Sequence, residues 1–134
     1  MLAFDFGTRR IGVAVANTVT RTAQPLTTLA AIRGETPLAA IAELIDAWQP
    51  SQLVVGLPVH ADGTPHAMTA RARGFARALE ASFGCPVALV DERWSSEAAT
   101  QALRDQGHGG RDARAKRDET AAQIILQAWL DEAQ

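Results

Sequence analysis

The chain has 134 residues, a formal net charge of −2 and an apolar content of 47%. These values predict one domain, residues 1–134, with a hydrophobic core of its own. The near-neutral charge gives no overall positive electrostatic potential that would attract nucleic acid. The single cysteine excludes an internal disulfide. No apolar run approaches ~20 residues and the first residues lack a signal-peptide pattern, so we expect a cytoplasmic protein with no membrane partner.

The chain begins with two runs of strand-forming residues, 2–6 and 11–16, on either side of a turn at 7–10. This pattern predicts a β-hairpin. A third strand is predicted at 22–29, where Pro25 indicates a sheet edge because proline cannot donate to a strand ladder. Asp5 stands inside the first strand, where an unpaired carboxylate would cost several kcal/mol to desolvate. The carboxylate therefore needs hydrogen bonds, a cation or a metal ion.

Helical periodicity alternates with short apolar runs over the rest of the chain. The remaining predicted elements are a helix at 38–48, a buried strand at 52–57, a helix at 68–83, a strand at 87–90, a helix at 97–106, a mobile loop at 107–117 and a final helix at 118–132. Thr36 is the expected N-cap of the first helix, with Pro37 at its first position, and Gly84 is the expected C-cap of the second.

The connections between these elements predict an α/β fold. The first three strands are joined by short turns and should be antiparallel. The last two strands follow helical crossovers and should run parallel to the first. The result is a five-stranded mixed sheet flanked by helices.

Three acids are predicted to lie near the carboxyl ends of the parallel strands, where sheets of this kind bind their ligands. Asp5 lies near the end of the first strand, Glu92 just beyond the fifth, and Asp118 at the start of the final helix. Three close carboxylates repel one another unless a cation holds them, and Mg²⁺ or Mn²⁺ prefers oxygen ligands. Taken singly, Asp118 has the alternative role of a helix cap, and Glu92 that of a solvated strand end.

Five stretches of the chain resemble the YqgF/RuvX family of Holliday junction resolvase-like proteins, which are also described as pre-16S rRNA nucleases. They are Asp5–Val15, Val54–Pro58 with Asp62–Thr64, Arg71–Ala76, Val90–Arg93 and Lys116–Ala122, in family order over essentially the whole chain. His60, Trp94 and the pair Ser95-Ser96 depart from the usual family residues, but none of them replaces an acid.

The resemblance implies a ribonuclease H-like fold, which agrees with the predicted order of elements. It also implies that Asp5, Glu92 and Asp118 are the catalytic, metal-binding residues, with one or two Mg²⁺ or Mn²⁺ ions. The implied activity is endonucleolytic hydrolysis of phosphodiesters, most often assigned to 5′-end maturation of 16S rRNA in ribosomal precursor particles.

Basic residues cluster beside these acids in the sequence and predict a surface for nucleic acid. They are Arg9, Arg10, Arg93, Arg111, Arg114, Lys116 and Arg117. The alternative for the last four is a solvated loop without a ligand. Tyrosine is absent and aromatic residues make up only 5% of the chain, which favours recognition of backbone and shape over base stacking.

Three other functions compete with an rRNA nuclease. One is a resolvase acting on four-way DNA junctions, which would require a dimer. Another is a non-catalytic RNA- or ribosome-associated module, although retention of all three acids argues against it. The third is an ATPase with a phosphate loop at Asp5–Thr8, a class that encloses its nucleotide between two such domains, whereas this length provides one.

Overall fold

A computed structural model describes residues 1–7, 9–17, 19–31, 36–57, 69–91 and 110–132. The elements are β1 (Leu2–Asp5), β2 (Arg10–Asn17), β3 (Thr22–Ala30), α1 (Leu38–Trp48), β4 (Leu53–Leu57), α2 (Thr69–Phe83), β5 (Val87–Asp91) and α3 (Gly110–Glu132). All five predicted strands are confirmed. The predicted helix at 97–106 lies outside the described residues.

The strands form one sheet in the order β3-β2-β1-β4-β5. β2 is antiparallel to β1 and β3, whereas β4 is parallel to β1 and to β5. The predicted mixed sheet is therefore confirmed, with Pro25 on the edge strand β3. The β2–β3 register shifts between Val13 and Ala14, whose partners are Thr27 and Pro25, so that Leu26 is an extra residue at a bulge.

Strand alternation divides the sheet side chains between two cores. On one face, large residues of the central strands pack against α1 and α2, and the Phe4 and Phe75 rings meet edge to face with centroids 5.8 Å apart. The other face carries small side chains and is covered by α3. Its buried members are Ala3, Ala14, Ala16, Ala23, Val54, Ala122, Ile125, Leu126 and Leu130. Small side chains allow α3 to lie close to the strands.

The helix ends show which cap predictions were correct. Pro37, and not Thr36, is the N-cap of α1, and no side chain caps this end of the helix. The Thr36 carbonyl instead accepts a hydrogen bond from the Leu38 amide at 2.8 Å, which forms a tight turn before the helix. The prediction for Gly84 is confirmed, because its φ of +64° is left-handed and its amide donates to the Glu80 carbonyl at 2.9 Å.

The start of α3 corrects the sequence prediction. Residues 110–117 are helical, so the loop predicted at 107–117 was wrong for these residues, while 107–109 lie outside the described part. Alanine, arginine and lysine dominate 111–117, and their helix propensity outweighs the preceding glycines. Asp118 therefore lies inside a helix, which removes its alternative role as an N-cap.

The apolar pattern of the final helix predicts that Ala121, Ile124, Ile125, Ala128 and Trp129 face inward, and the buried stripe of α3 differs from this in part. Ala121 and Ile125 are buried as expected, but Ala122, Leu126 and Leu130 complete the stripe, and Trp129 is only half-buried. Within the described residues, no helix combines the length and apolar character needed to cross a bilayer.

Candidate acidic site between the β1–β2 hairpin and α3

Asp5 is the last residue of β1 and is half-buried. Leu2 and Phe4 belong to the core under α1 and α2, and Ala3 to the core under α3, so strand alternation places Asp5 on the α3 face. Its cross-strand neighbours are Gly12 on β2 and Gly56 on β4. Because neither neighbour has a side chain, no cross-strand side chain lies beside the Asp5 carboxylate on β2 or β4.

Gly12 also marks a close approach of α3 to the sheet. A Cβ atom added to Gly12 would overlap the backbone carbonyl of Asp118 and lie 3.0 Å from the Asp118 Cβ. Only glycine allows the helix backbone to lie this close to the strand. The structure thus brings Asp5 and Asp118 to the same glycine, one from the neighbouring strand and the other from the helix above it.

Arg10 completes the described part of the site. Its Nε donates to Oδ2 of Asp118 at 2.6 Å, and the two side chains are 35% and 16% exposed. Arg10 is two residues before Gly12 and so shares its face of β2. One residue further along α3, Glu119 accepts a hydrogen bond from the Thr28 hydroxyl at 3.4 Å. This side of α3 is therefore tied to β2 and β3 by polar contacts.

The Arg10–Asp118 pair joins residues 108 positions apart and was not predicted from sequence. The available signal was Gly12, because a glycine inside a strand pattern often marks close backbone approach. Arg9 lies in the turn before β2 with an exposed side chain, and its carbonyl accepts from the Ala31 amide at 2.9 Å.

The other predicted site residues are described in part or not at all. Glu92 and Arg93 lie outside the described residues, directly after β5 in the sequence. For four basic residues the structure describes only the α3 backbone: Arg111, Arg114, Lys116 and Arg117. Within the described part, no three His, Cys, Asp or Glu side chains form a group that could hold a metal ion.

The donor chemistry of the described acids fits a hard divalent cation. Asp5 and Asp118 offer carboxylate oxygens, the ligands that Mg²⁺ and Mn²⁺ take in proteins. β5 ends at Asp91, and its Val90 is paired with Gly56, the neighbour of Asp5. β5 therefore ends at the same end of the parallel strands as Asp5, and Glu92 is the next residue in the sequence.

A separate groove of 680 Å³ lies at the opposite end of the sheet. Its described lining includes Met1, Asn17 and Trp48, and contains none of the predicted site residues and no acid. We assign this groove no catalytic role.

The sequence profile of the family described as RuvX, Holliday junction resolvase, matches residues 1–132. A Dechloromonas aromatica protein named as a candidate pre-16S rRNA nuclease is 50% identical over 131 residues, covering 98% of this chain and 90% of that protein. A Nitrosomonas europaea protein with the same name is 51% identical over 131 residues, covering 98% and 88%.

Two solved structures share the fold. RuvC of Thermus thermophilus in complex with a Holliday junction substrate has a TM-score of 0.57 at 17% identity, covering 98% of this chain and 94% of that chain. Fowlpox virus resolvase with Holliday junction DNA has a TM-score of 0.56 at 8% identity, covering 99% of both chains. The fold of this chain is thus ribonuclease H-like, as the sequence resemblance implied.

Proposed function

Because this chain belongs to the RuvX family, described as Holliday junction resolvases, we propose that it is a metal-dependent endonuclease that matures the 5′ end of pre-16S rRNA. Relatives that are 50% identical to this chain are named as candidate pre-16S rRNA nucleases, which supports an RNA substrate. The observation that carries the chemistry is the meeting of Asp5 and Asp118 at Gly12. We take residues 1–134 as one nuclease domain acting in the cytoplasm on ribosomal precursor particles.

The proposed metal ligands are Asp5, Asp118 and Glu92, which would hold one or two Mg²⁺ or Mn²⁺ ions. Such an ion, when bound, activates a water molecule and stabilises the charge that develops on the phosphodiester oxygens. Asp5 presents its carboxylate from the end of a buried strand, which restricts its motion. Asp118 is held by the packing of α3 on the sheet, where Ala122 and Ile125 are buried. The protein thus orients the acids before the substrate arrives.

The basic residues are proposed to bind the substrate backbone. Arg9 is exposed in the hairpin turn beside the acids and is available to a phosphate. The first part of α3, before Asp118, is basic and would contact phosphates of the nucleic acid beyond the acidic site. Its basic residues are Arg111, Arg114, Lys116 and Arg117. Arg93 would act from the other side, after Glu92. Contacts of this kind position a backbone without reading sequence.

Resolution of four-way DNA junctions is the second candidate function. It is favoured by the description of the family whose profile matches residues 1–132. A resolvase would need two sites, one in each subunit of a dimer, to cut the junction symmetrically. The two candidates therefore differ in substrate and in assembly, and one experiment separates them.

The test compares the wild-type protein with Asp5→Asn and Asp118→Asn on a 5′-extended 16S rRNA precursor and on a four-way DNA junction, with Mn²⁺, Mg²⁺ or EDTA. Asp46→Asn is the matched control, because Asp46 is an exposed acid on α1. We expect RNA cleavage by the wild-type and control proteins, and loss of cleavage in both site variants and in EDTA.

Other outcomes would change the assignment. Symmetric cleavage of the junction alone, by a dimer, would establish the resolvase. Binding of RNA without cleavage of either substrate would indicate a non-catalytic module. Normal cleavage by Asp5→Asn would remove Asp5 from the site.

A further inference from the structure

Two arginines connect the sheet to α3, and they bind it differently. Near the carboxyl end of the helix, Nη2 of Arg21 donates to the backbone carbonyl of Leu130 at 2.5 Å. At the acidic site, Nε of Arg10 donates to the carboxylate of Asp118 at 2.6 Å. The contact of Arg21 holds the helix end. The contact of Arg10 engages an oxygen atom of a proposed metal ligand.

We propose that Arg10 is the internal counter-ion of the acidic site, which a divalent cation displaces from Asp118 and which then contacts a phosphate of the nucleic acid. This inference rests on the proposed function for the identity of the cation and the substrate. It makes Arg10 a positioning residue in the metal-free protein and a substrate contact in the loaded one.

The burial of the pair supports this exchange. Asp118 is only 16% exposed, so its carboxylate requires a partner in the metal-free state, and Arg10 provides one. A guanidinium and a divalent cation repel each other, and both are attracted to the Asp118 carboxylate, so they compete for it. Arg10 is 35% exposed, so its side chain can leave Asp118 without opening the core.

Removal of Arg10 should therefore strengthen metal binding. We expect Arg10→Gln to bind Mn²⁺ about fivefold more tightly than the wild-type protein, which corresponds to about 1 kcal/mol for a pair that is partly solvated. Arg10→Lys keeps a cation and should stay within about twofold of the wild type. A purely structural role predicts the opposite, because a loosened Asp118 would weaken the affinity.

The first experiment measures Mn²⁺ affinity by titration calorimetry for the wild type, Arg10→Gln, Arg10→Lys and Arg21→Gln. Arg21→Gln is the matched control, because it removes an arginine contact to the α3 backbone at the other end of the helix from Asp118. It should lower the thermal midpoint and leave Mn²⁺ affinity unchanged. Unchanged or weaker Mn²⁺ binding by folded Arg10→Gln would overturn the inference.

The second experiment tests the transfer to phosphate. We would measure binding of a precursor rRNA fragment over a range of salt concentrations, in Ca²⁺ and in EDTA. Arg10→Gln should reduce the salt slope by about 1 in Ca²⁺, because one phosphate contact is lost, and should leave the slope in EDTA unchanged. Equal slopes for the wild type and Arg10→Gln in Ca²⁺ would refute the release of Arg10.

The same Mn²⁺ titration, carried out also on Asp5→Asn, separates this inference from the proposed function. If Asp5→Asn weakens Mn²⁺ binding while Arg10→Gln leaves it unchanged, only the role of Arg10 fails. If neither the wild type nor Arg10→Gln binds Mn²⁺, both the metal site and the exchange fail.

Discussion

Substitution of Gly12 by alanine tests the contact that brings the two acids together. The new Cβ would overlap the Asp118 carbonyl, and α3 would have to move away by on the order of 1 Å. Overpacking of this kind costs about 3 kcal/mol when a helix backbone must shift. The lower conformational entropy of alanine in the unfolded chain offsets roughly 0.5–1 kcal/mol. The net loss is about 2 kcal/mol, or roughly 7 °C in thermal midpoint for a domain of this size.

The assay combines calorimetric unfolding with Mn²⁺ binding. We expect Gly12→Ala to fold, to unfold at a lower temperature and to lose Mn²⁺ affinity, because Asp118 moves away from Asp5. Gly74→Ala is the control, since a Cβ there meets nothing within 4 Å and the residue lies in the middle of α2. That variant should gain roughly 0.5–1 kcal/mol. A Gly12→Ala protein with wild-type stability and Mn²⁺ affinity would refute the close approach of α3 to β2.

Three further substitutions test parts of the fold outside the candidate site. Gly84→Ala should cost about 1 kcal/mol by denaturant unfolding, because φ at this helix end is +64°; an equal gain at Gly84 and Gly74 would contradict the left-handed cap. Ile125→Ala should cost about 3 kcal/mol, because Ile125 is 1% exposed between α3 and the sheet; a loss below about 1 kcal/mol would show that α3 packs differently. Burial raises the pKa of the Cys85 thiol above its usual 9.0, so the stability that this thiol contributes is fully present below pH 9.0 and is lost as pH rises through the folded pKa. The denaturation midpoint should decrease between about pH 8 and about pH 10.5, and it should decrease more for the wild type than for Cys85→Ser. Equal decreases in the two proteins would exclude this titration.

Short-range patterns in the sequence were sufficient for most of the fold. Alternating and continuous apolar runs predicted all five strands to within a residue or two, because each strand must present its apolar side chains to a core. Pro25 correctly indicated the edge strand, since a proline in a central strand would remove a ladder hydrogen bond. Connection lengths then determined which strands are antiparallel and which are parallel.

Local reasoning failed where two signals competed over a few residues. The glycines at 107–110 suggested a loop, but the following residues favour a helix, and α3 begins at Gly110. Thr36 has the side chain of an N-cap, yet the backbone places Pro37 at that position. For α3 the summed helix propensity of residues 111–117 outweighs the glycines, and for α1 the turn closed by the Leu38 amide and the Thr36 carbonyl moves the helix start by one residue.

For the site, the sequence by itself determined the residue types and the strand end at which Asp5 lies. The positions of Asp5, Glu92 and Asp118 at the ends of predicted elements made them candidates, and the family resemblance assigned them the metal-binding role. Only the tertiary structure decided that Asp118 lies over Gly12 and that Arg10 pairs with it across 108 positions. The physical reason is that this contact depends on how closely α3 approaches the sheet. That distance is set by the small side chains of Ala3, Ala14 and Ala16 together, and no single segment of the sequence contains it.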